Sequence, residues 1–261
     1  MMNILSCENL TVELSNKEIL TDIGFEAECG KIYILLGSNG TGKTTLLRTL
    51  SGLIKPVKGT VSINGRDTAS FSRKEFARNI CYLPQSHGAV FEYQVVDFVM
   101  MGRTAHGNIF YRPTEKDKKR ALAILEETGI AHLAYRPYTN LSSGECQLVM
   151  LSRALMQDTS FLLLDEPTSN LDFKNQRKVM KRITELAHKN EKAILISIHD
   201  PNAAIEYGDC IIAMDNKQII KKIDKTNSGF YNEIEKAMQQ IYEPSVKIVQ
   251  TEDYAFVKYG K

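Results

Sequence analysis

Gly37-Ser38-Asn39-Gly40-Thr41-Gly42-Lys43-Thr44 places three glycines within six residues, just before a lysine and a threonine. The apolar run Ile32-Tyr33-Ile34-Leu35-Leu36 precedes it, and Thr45-Leu46-Leu47-Arg48-Thr49-Leu50 follows. The spacing predicts a short strand, a Gly-rich turn and a helix, which is the Walker A pattern in its required context. Glycines let the chain curl so that successive backbone N–H groups point inward. With the helix N-terminus they form a cradle for α- and β-phosphates. Lys43 supplies a compact mobile charge to β/γ oxygens, and the Thr44 hydroxyl is a ligand for Mg²⁺.

Working outward, the 261 residues suffice for one sizeable core with a subdomain. The balance of 33 basic against 31 acidic residues argues against a strongly basic nucleic-acid face. Cysteines 7, 29, 81, 146 and 210 are scattered without a CxxC pair, so they read as small buried residues in a reducing compartment. No basic segment followed by a signal-peptide core opens the chain, and no apolar run is long enough to cross a bilayer. The expectation is a cytoplasmic protein that meets a membrane only through a partner.

Upstream of the loop, Leu5 to Leu14 and Ile19 to Glu28 alternate with period two around Ser15-Asn16-Lys17, predicting an antiparallel pair. Gly59 to Gly65 gives another short strand closed by Asn-Gly. Downstream, Ile80-Cys81-Tyr82-Leu83 is a strand ending at Pro84-Gln85, where the Gln85 carbonyl can ligate Mg²⁺ or hold water. From about Val90 to Thr159 the texture is helical, with helices expected over Tyr93 to Met101, Glu115 to Thr128 and Cys146 to Met156. An aromatic-bearing loop from Gly102 to Pro113 lies between the first two. Ser142 or Ser143 caps the third, whose N-terminus offers donors to an anion.

Phe161-Leu162-Leu163-Leu164 reads as a buried parallel strand that ends in Asp165-Glu166. Carboxylates at that end of such a strand sit where α/β sheets bind ligands. Asp165 is expected to hold Mg²⁺, and Glu166 to polarise the water that attacks the γ-phosphate. A helix from Phe173 to Lys189 and a strand from Ala193 to Ile198 deliver His199 to the same edge. His87, His106, His132 and His188 read as surface or structural. Pro201 to Tyr207, a hairpin around Asp215-Asn216-Lys217, a helix carrying Ile234 and Met238, and a strand-like Val246 to Val249 complete the chain. Lys43, Thr44, Gln85, Asp165, Glu166 and His199 thus converge on one ATP·Mg²⁺. The Ser142–Gly144 helix start belongs to a separate helical region, so its donors are expected to come from a second protomer.

From Leu5 to Lys222 the chain resembles an ATP-binding-cassette (ABC) ATPase. Residues 37–45 (Gly37, Ser38, Asn39, Gly40, Thr41, Gly42, Lys43, Thr44 and Thr45) resemble Walker A, and Gln85 the Q-loop. Leu141-Ser142-Ser143-Gly144-Glu145 resembles the signature motif, and Phe161 to Glu166 Walker B with the catalytic glutamate. Ser169-Asn170-Leu171-Asp172 resembles the D-loop, and His199 the switch histidine. The resemblance implies an α/β P-loop NTPase fold: a RecA-like core, an antiparallel β subdomain and an inserted helical subdomain. Residues 1–225 then form a single ABC ATPase domain, with 1–86 and 160–225 as core and β subdomain. Residues 87–159 are the helical subdomain with the signature motif, and 226–261 a short C-terminal extension.

The family signature reads Leu-Ser-Gly-Gly-Gln, so Ser143 and Glu145 depart from it. A carboxylate facing a phosphate is unfavourable, and Glu145 is expected to turn away. Leu14 stands where the family usually places an aromatic that stacks on adenine.

Leu83-Pro84-Gln85, Val99-Met100-Met101-Gly102-Arg103, Pro113-Thr114 and Ile130-Ala131-His132-Leu133-Ala134 resemble ATPases of importers for iron-siderophore, haem or cobalamin chelates. That implies a homodimer of ATPase subunits on the cytoplasmic side of the membrane, two permease subunits and an extracytoplasmic solute-binding protein. The competing readings are a soluble ABC ATPase of translation or DNA maintenance, or an importer of another substrate. A single Walker A, no heptad array and no basic block weigh against the soluble class.

Overall fold

The computed structural model describes residues 3–85, 92–106, 111–169, 171–252 and 254–259. The readings placed on His87, Val90, residues 107–110 and Asn170 lie outside these. β1 (Ile4–Leu14) and β2 (Lys17–Glu28) form a long hairpin whose turn residues Ser15 and Asn16 have φ of 50° and 59°. β3 (Ile32–Leu36) is wholly buried and leads through the Gly-rich loop into α1 (Lys43–Leu50). β4 (Lys58–Ile63) and β5 (Arg66–Asp67) turn at Asn64-Gly65, both left-handed, which suits a two-residue hairpin. They complete an antiparallel sheet of order β2-β1-β4-β5.

α2 (Arg73–Asn79), capped by the Ser72 hydroxyl, runs into β6 (Ile80–Leu83). Helices α3 (Val95–Met100), α4 (Glu115–Glu127) and α5 (Ser143–Met156) then pack on one another. The helical run expected over Tyr93 to Met101 is shorter than its pattern, because the chain tightens into a 3₁₀ turn over Met101–His106. α5 begins three residues before Cys146, with Ser142 as its cap. Ser143 and Gly144 are weak helix formers in the interior, yet with Glu145 they are well placed in a capped first turn.

β7 (Phe161–Asp165), α6 (Phe173–Lys189), β8 (Ala193–Ile198), α7 (Pro201–Tyr207), β9 (Cys210–Asp215) and β10 (Gln218–Asp224) follow. A six-stranded sheet has the order β10-β9-β3-β8-β7-β6, parallel except at the β10 edge. Its parallel strands are apolar on both faces, as a covered parallel sheet requires, whereas the edge strand β10 carries exposed polar residues. The period of two divides each strand between two cores. Tyr33, Leu35, Leu163 and Leu195 face α1 and the antiparallel sheet; Ile34, Leu162, Leu164 and Ile196 face the helices. Because β3, β6, β7 and β8 run the same way, residues 37, 84, 165 and 199 all leave the sheet at one edge.

α8 (Phe230–Ile241) packs its apolar stripe of Ile234, Ala237, Met238 and Ile241 on this framework. β11 (Val246–Gln250) pairs with β12 (Ala255–Tyr259), a strand the sequence reading missed. The Val257 amide also donates to Asn202 Oδ1 at 2.8 Å, which ties this hairpin to α7. Among the described residues no helix is long and apolar enough to cross a membrane.

Gly102 shows how tightly the 3₁₀ turn sits on α5. A Cβ there would lie 2.3 Å from the Arg153 carbonyl oxygen and 2.9 Å from Met156 Cβ. Gly102→Ala should therefore destabilise the chain by about 1–3 kcal/mol. A denaturant titration with an unchanged midpoint would show that this contact is not tight.

Candidate active site

The Gly-rich loop closes on itself. Lys43 is buried, and its ammonium donates to the carbonyl oxygens of Gly37 (2.7 Å) and Ser38 (2.9 Å). Thr41 donates its hydroxyl to the same Ser38 oxygen at 2.9 Å. Burial pushes the Lys43 ammonium below its ordinary value, while the Glu166 and Asp165 carboxylates push it back up. Gly42 caps α1 with φ 98° and no side-chain bond. A Cβ on it would meet Leu20 Cδ2 at 2.6 Å. The amides of the first turn, at Lys43, Thr44 and Thr45, have no partner within the helix and carry its positive dipole end.

Opposite this turn stand the carboxylates that end β7. Asp165 is only 2% exposed and accepts from the Thr44 hydroxyl at 3.0 Å and the Ser197 hydroxyl at 2.7 Å. The Tyr82 hydroxyl reaches its other oxygen at 3.0 Å. Glu166 has φ 47°, a left-handed conformation that re-aims its side chain out of the strand direction. One of its oxygens accepts from Gln85 Nε2 at 2.6 Å, and the other pairs with His199 Nε2. A cleft of about 530 Å³ lies between loop and carboxylates, bordered by Asn39, Gly40, Gly42 to Thr45, Gln85, Glu166 and His199.

The donor set fits Mg²⁺, which takes hard oxygen ligands and is bound through one or two carboxylates plus substrate phosphates. A threonine hydroxyl, one buried carboxylate and the oxygen of a nearby amide supply such a set. Among the described residues no group of three His, Cys, Asp or Glu side chains is arranged for a softer metal.

Ser142 and Gly144 are not among the residues bordering this cleft. They open α5, where Gly144 lies against the Asn175 side chain. The expectation for Glu145 needs correction. Its carboxylate turns back, accepting from the Ser142 amide (2.8 Å) and the Ser142 hydroxyl (2.7 Å) in a capping box. Phosphate repulsion was the reason to expect otherwise. The nearest unfilled donors are the helix's own, and the carboxylate takes them. Leu14 is 40% exposed at the end of β1 and does not border the cleft, whereas Ile19 does. The Asn170 part of the D-loop reading lies outside the described residues. His106 bonds the Gln157 carbonyl and His188 pairs with Asp209, both away from this cleft.

The ABC transporter family model matches residues 20–169. The chain belongs to the ABC transporter family. An uncharacterized ABC transporter ATP-binding protein of Haemophilus influenzae is 41% identical to this ABC ATPase, over 85% of this chain and 84% of the relative. The iron(3+)-hydroxamate import ATP-binding protein FhuC of Bacillus subtilis is 36% identical over 85% of this chain and 82% of its own. Among solved structures, a chain of an ABC transporter assigned to the metal-chelate type, in an inward-facing conformation, superposes with TM-score 0.81. It shares 27% identity and covers 99% of this chain and 97% of its own length. The ABC ATPase binds ATP and Mg²⁺ and hydrolyses ATP to power transport.

Three contributors escaped the sequence reading: Tyr82, Ser197 and Ile19. The first two are polar positions in strands otherwise made of apolar residues, Ile80–Leu83 and Ala193–Ile198. A lone hydroxyl in a fully buried strand must find a partner, and that is the signal that could have found them.

The Ser142 amide and hydroxyl hold the Glu145 carboxyl below its ordinary value of 4.5. The stabilisation is therefore complete at neutral pH and is lost as pH falls through the lowered folded value. Glu145→Ala should cost about 0.3–1.5 kcal/mol near pH 7, and the difference from wild type should shrink under acid. Thermal midpoints across pH check this; a deficit that stays constant into acid would contradict it.

Proposed function

We propose that this ABC ATPase is the peripheral, cytoplasmic-side engine of an importer for a metal chelate of the iron-siderophore, haem or cobalamin kind. The observation that carries the reading is the match to the metal-chelate type transporter along 99% of the chain, the segment after β10 included. The import relative from Bacillus subtilis supports the same direction and cargo class. In this reading residues 1–225 are the ATPase domain and 226–261 its extension, with two copies meeting two permease subunits and, outside, a solute-binding protein. A groove of about 500 Å³ bordered by Leu83, Pro84, Met101, Thr104, Arg153 and Gln157 is the place for a permease segment. It joins the end of β6, two residues before Gln85, to the helices.

The residues divide the work by chemistry. The loop amides of Gly37, Ser38, Asn39, Gly40, Thr41 and Gly42, with the first turn of α1 through Thr45, take the phosphates. Lys43 leaves its loop carbonyls for them. Thr44, Asp165 and the Gln85 carbonyl oxygen would hold Mg²⁺, which would offset the negative charge of the phosphates. Glu166 accepts the proton of the attacking water as the water oxygen bonds to the γ-phosphorus and the β–γ bridging bond breaks towards ADP. His199 orients Glu166. Ser142 and Gly144 of a second copy close over the triphosphate, displacing Glu145 from its cap.

These roles separate experimentally. Glu166→Gln should retain ATP binding, lower hydrolysis at least 100-fold and accumulate an ATP-bound dimer on sizing. Lys43→Ala should lose binding itself. Undiminished turnover in Glu166→Gln would remove it as the base. Because Glu145 competes for the Ser142 donors, Glu145→Gln should lower the ATP concentration at which the Glu166→Gln dimer forms. An unchanged or raised concentration contradicts that competition. For the cargo, the complex purified with its permease and reconstituted in vesicles should take up ferric chelates, haem or cobalamin. Uptake of none of these, with uptake of another solute class, overturns the importer assignment.

A further inference from the structure

Each oxygen of the buried Asp165 carboxylate is held by a hydroxyl, and two of the three hydroxyls lie outside every motif discussed above. Oδ1 accepts from Thr44 Oγ1 at 3.0 Å and from Ser197 Oγ at 2.7 Å, and Oδ2 accepts from the Tyr82 hydroxyl at 3.0 Å. Ser197 is completely buried in β8. Its oxygen also accepts the amide of Glu166 at 2.9 Å. A serine hydroxyl has one proton to give, so here it donates to Asp165 and receives from Glu166. One side chain thereby fixes two successive carboxylates. It does so at the point where the backbone enters the left-handed conformation of Glu166, φ 47°, which persists only where the surroundings over-determine it.

Tyr82 approaches from the other side. It lies on β6, in register with Leu163 of the neighbouring β7. Its hydroxyl oxygen receives Arg48 Nε from α1 at 3.4 Å, which leaves its proton for Asp165. The carboxylate is therefore gripped from α1, β6 and β8 together, and its rotamer is set before any cation arrives. Removing a group that orients a ligand from outside commonly costs about 10–100-fold in metal affinity or activity.

We propose that Tyr82 and Ser197 are positioning residues for the hydrolytic site. Tyr82 presets the Asp165 carboxylate for the divalent cation, and Ser197 presets Asp165 and Glu166 as a pair. The proposal rests on the reading of Asp165 as the cation's carboxylate and Glu166 as the base. It goes further by assigning a division of labour between two hydroxyls. Loss of the Tyr82 hydroxyl touches only the cation, whereas loss of the Ser197 hydroxyl touches the cation and the water-activating group.

The test compares equilibrium binding of ATP to the full chain in Mg²⁺ and in excess EDTA, with single-turnover hydrolysis at saturating Mg²⁺ and a thermal midpoint for each variant. Tyr82→Phe should bind ATP in EDTA as wild type does, while the Mg²⁺ concentration that half-restores the Mg²⁺-supported state rises about 10-fold or more. Its hydrolysis at saturating Mg²⁺ should stay within about 3-fold of wild type. Ser197→Ala should show the same Mg²⁺ shift together with a loss of about 10-fold or more in hydrolysis at saturation. Ser197→Thr, which returns the hydroxyl, should recover both. Equal losses in Mg²⁺ and EDTA for Tyr82→Phe would mark a merely structural role and overturn the proposal. Asp165→Asn separates the two levels of the argument. A Mg²⁺ shift in Asp165→Asn with none in Tyr82→Phe overturns the positioning role and leaves the site reading standing. Wild-type Mg²⁺ dependence in both variants overturns the site reading and the proposal with it.

Discussion

The hydrogen bond from Thr44 to Asp165, 3.0 Å long and spanning 121 residues of sequence, is the contact on which the arrangement of the site depends. It joins the first turn of α1 to the end of β7 in the interior, where an unpartnered carboxylate is too costly to keep charged. The sheet makes the contact possible. β3 and β7 are both parallel to the intervening β8, so the loop that follows β3 and the carboxylates that end β7 emerge on the same edge. Two cores, one under the antiparallel sheet and one under the helices, clamp these strands from both faces, and the cleft opens at their carboxyl ends.

Within that frame the electrostatics are poised rather than satisfied. Lys43 rests on two carbonyl oxygens of its own loop, neutral partners that the fully charged oxygens of the proposed triphosphate would displace. Glu166 is held between Gln85 and His199, so the group expected to take a proton is already oriented by two side chains from separate strand ends. Ser142 and Glu145 form a closed pair at the start of α5. In the proposed cycle the Lys43 and Ser142 contacts would be exchanged for contacts to nucleotide, and until then they give the chain a defined geometry.

Much of this was legible in the sequence because the residues concerned carry local signals. The Gly-rich stretch, the apolar runs that end in Gln85, Asp165-Glu166 and His199, and the boundaries of β8, α6 and α7 follow from periodicity and turn chemistry. The pattern was mute where tertiary partners decide. Tyr82 and Ser197 occupy strand positions that period-two reasoning assigns to packing, and only the folded sheet reveals that their hydroxyls meet Asp165. β12 takes its backbone bonds from β11 and from the Asn202 side chain of α7, partners that its own five residues do not name. Glu145 turns to Ser142 because the free donors of its own helix start lie within reach of its carboxylate, a local contact that reasoning from a phosphate alone leaves out. Ile19 borders the cleft because β2 passes beside Gly42, a proximity no spacing encodes.

In the proposed cycle one chain carries only half of each working site, the loop and carboxylates on one surface and the Ser142 helix start on another. Mixing two inactive variants tests it most directly. Lys43→Ala disables the loop, and Ser142→Asp keeps a good helix cap while setting a negative charge against incoming phosphate. Each homodimer then lacks an intact site, but a mixed dimer holds one, built from the unaltered loop of one copy and the unaltered Ser142 of the other. ATP hydrolysis that returns when the two proteins are combined is the result the account predicts. A mixture as inactive as its components would contradict it.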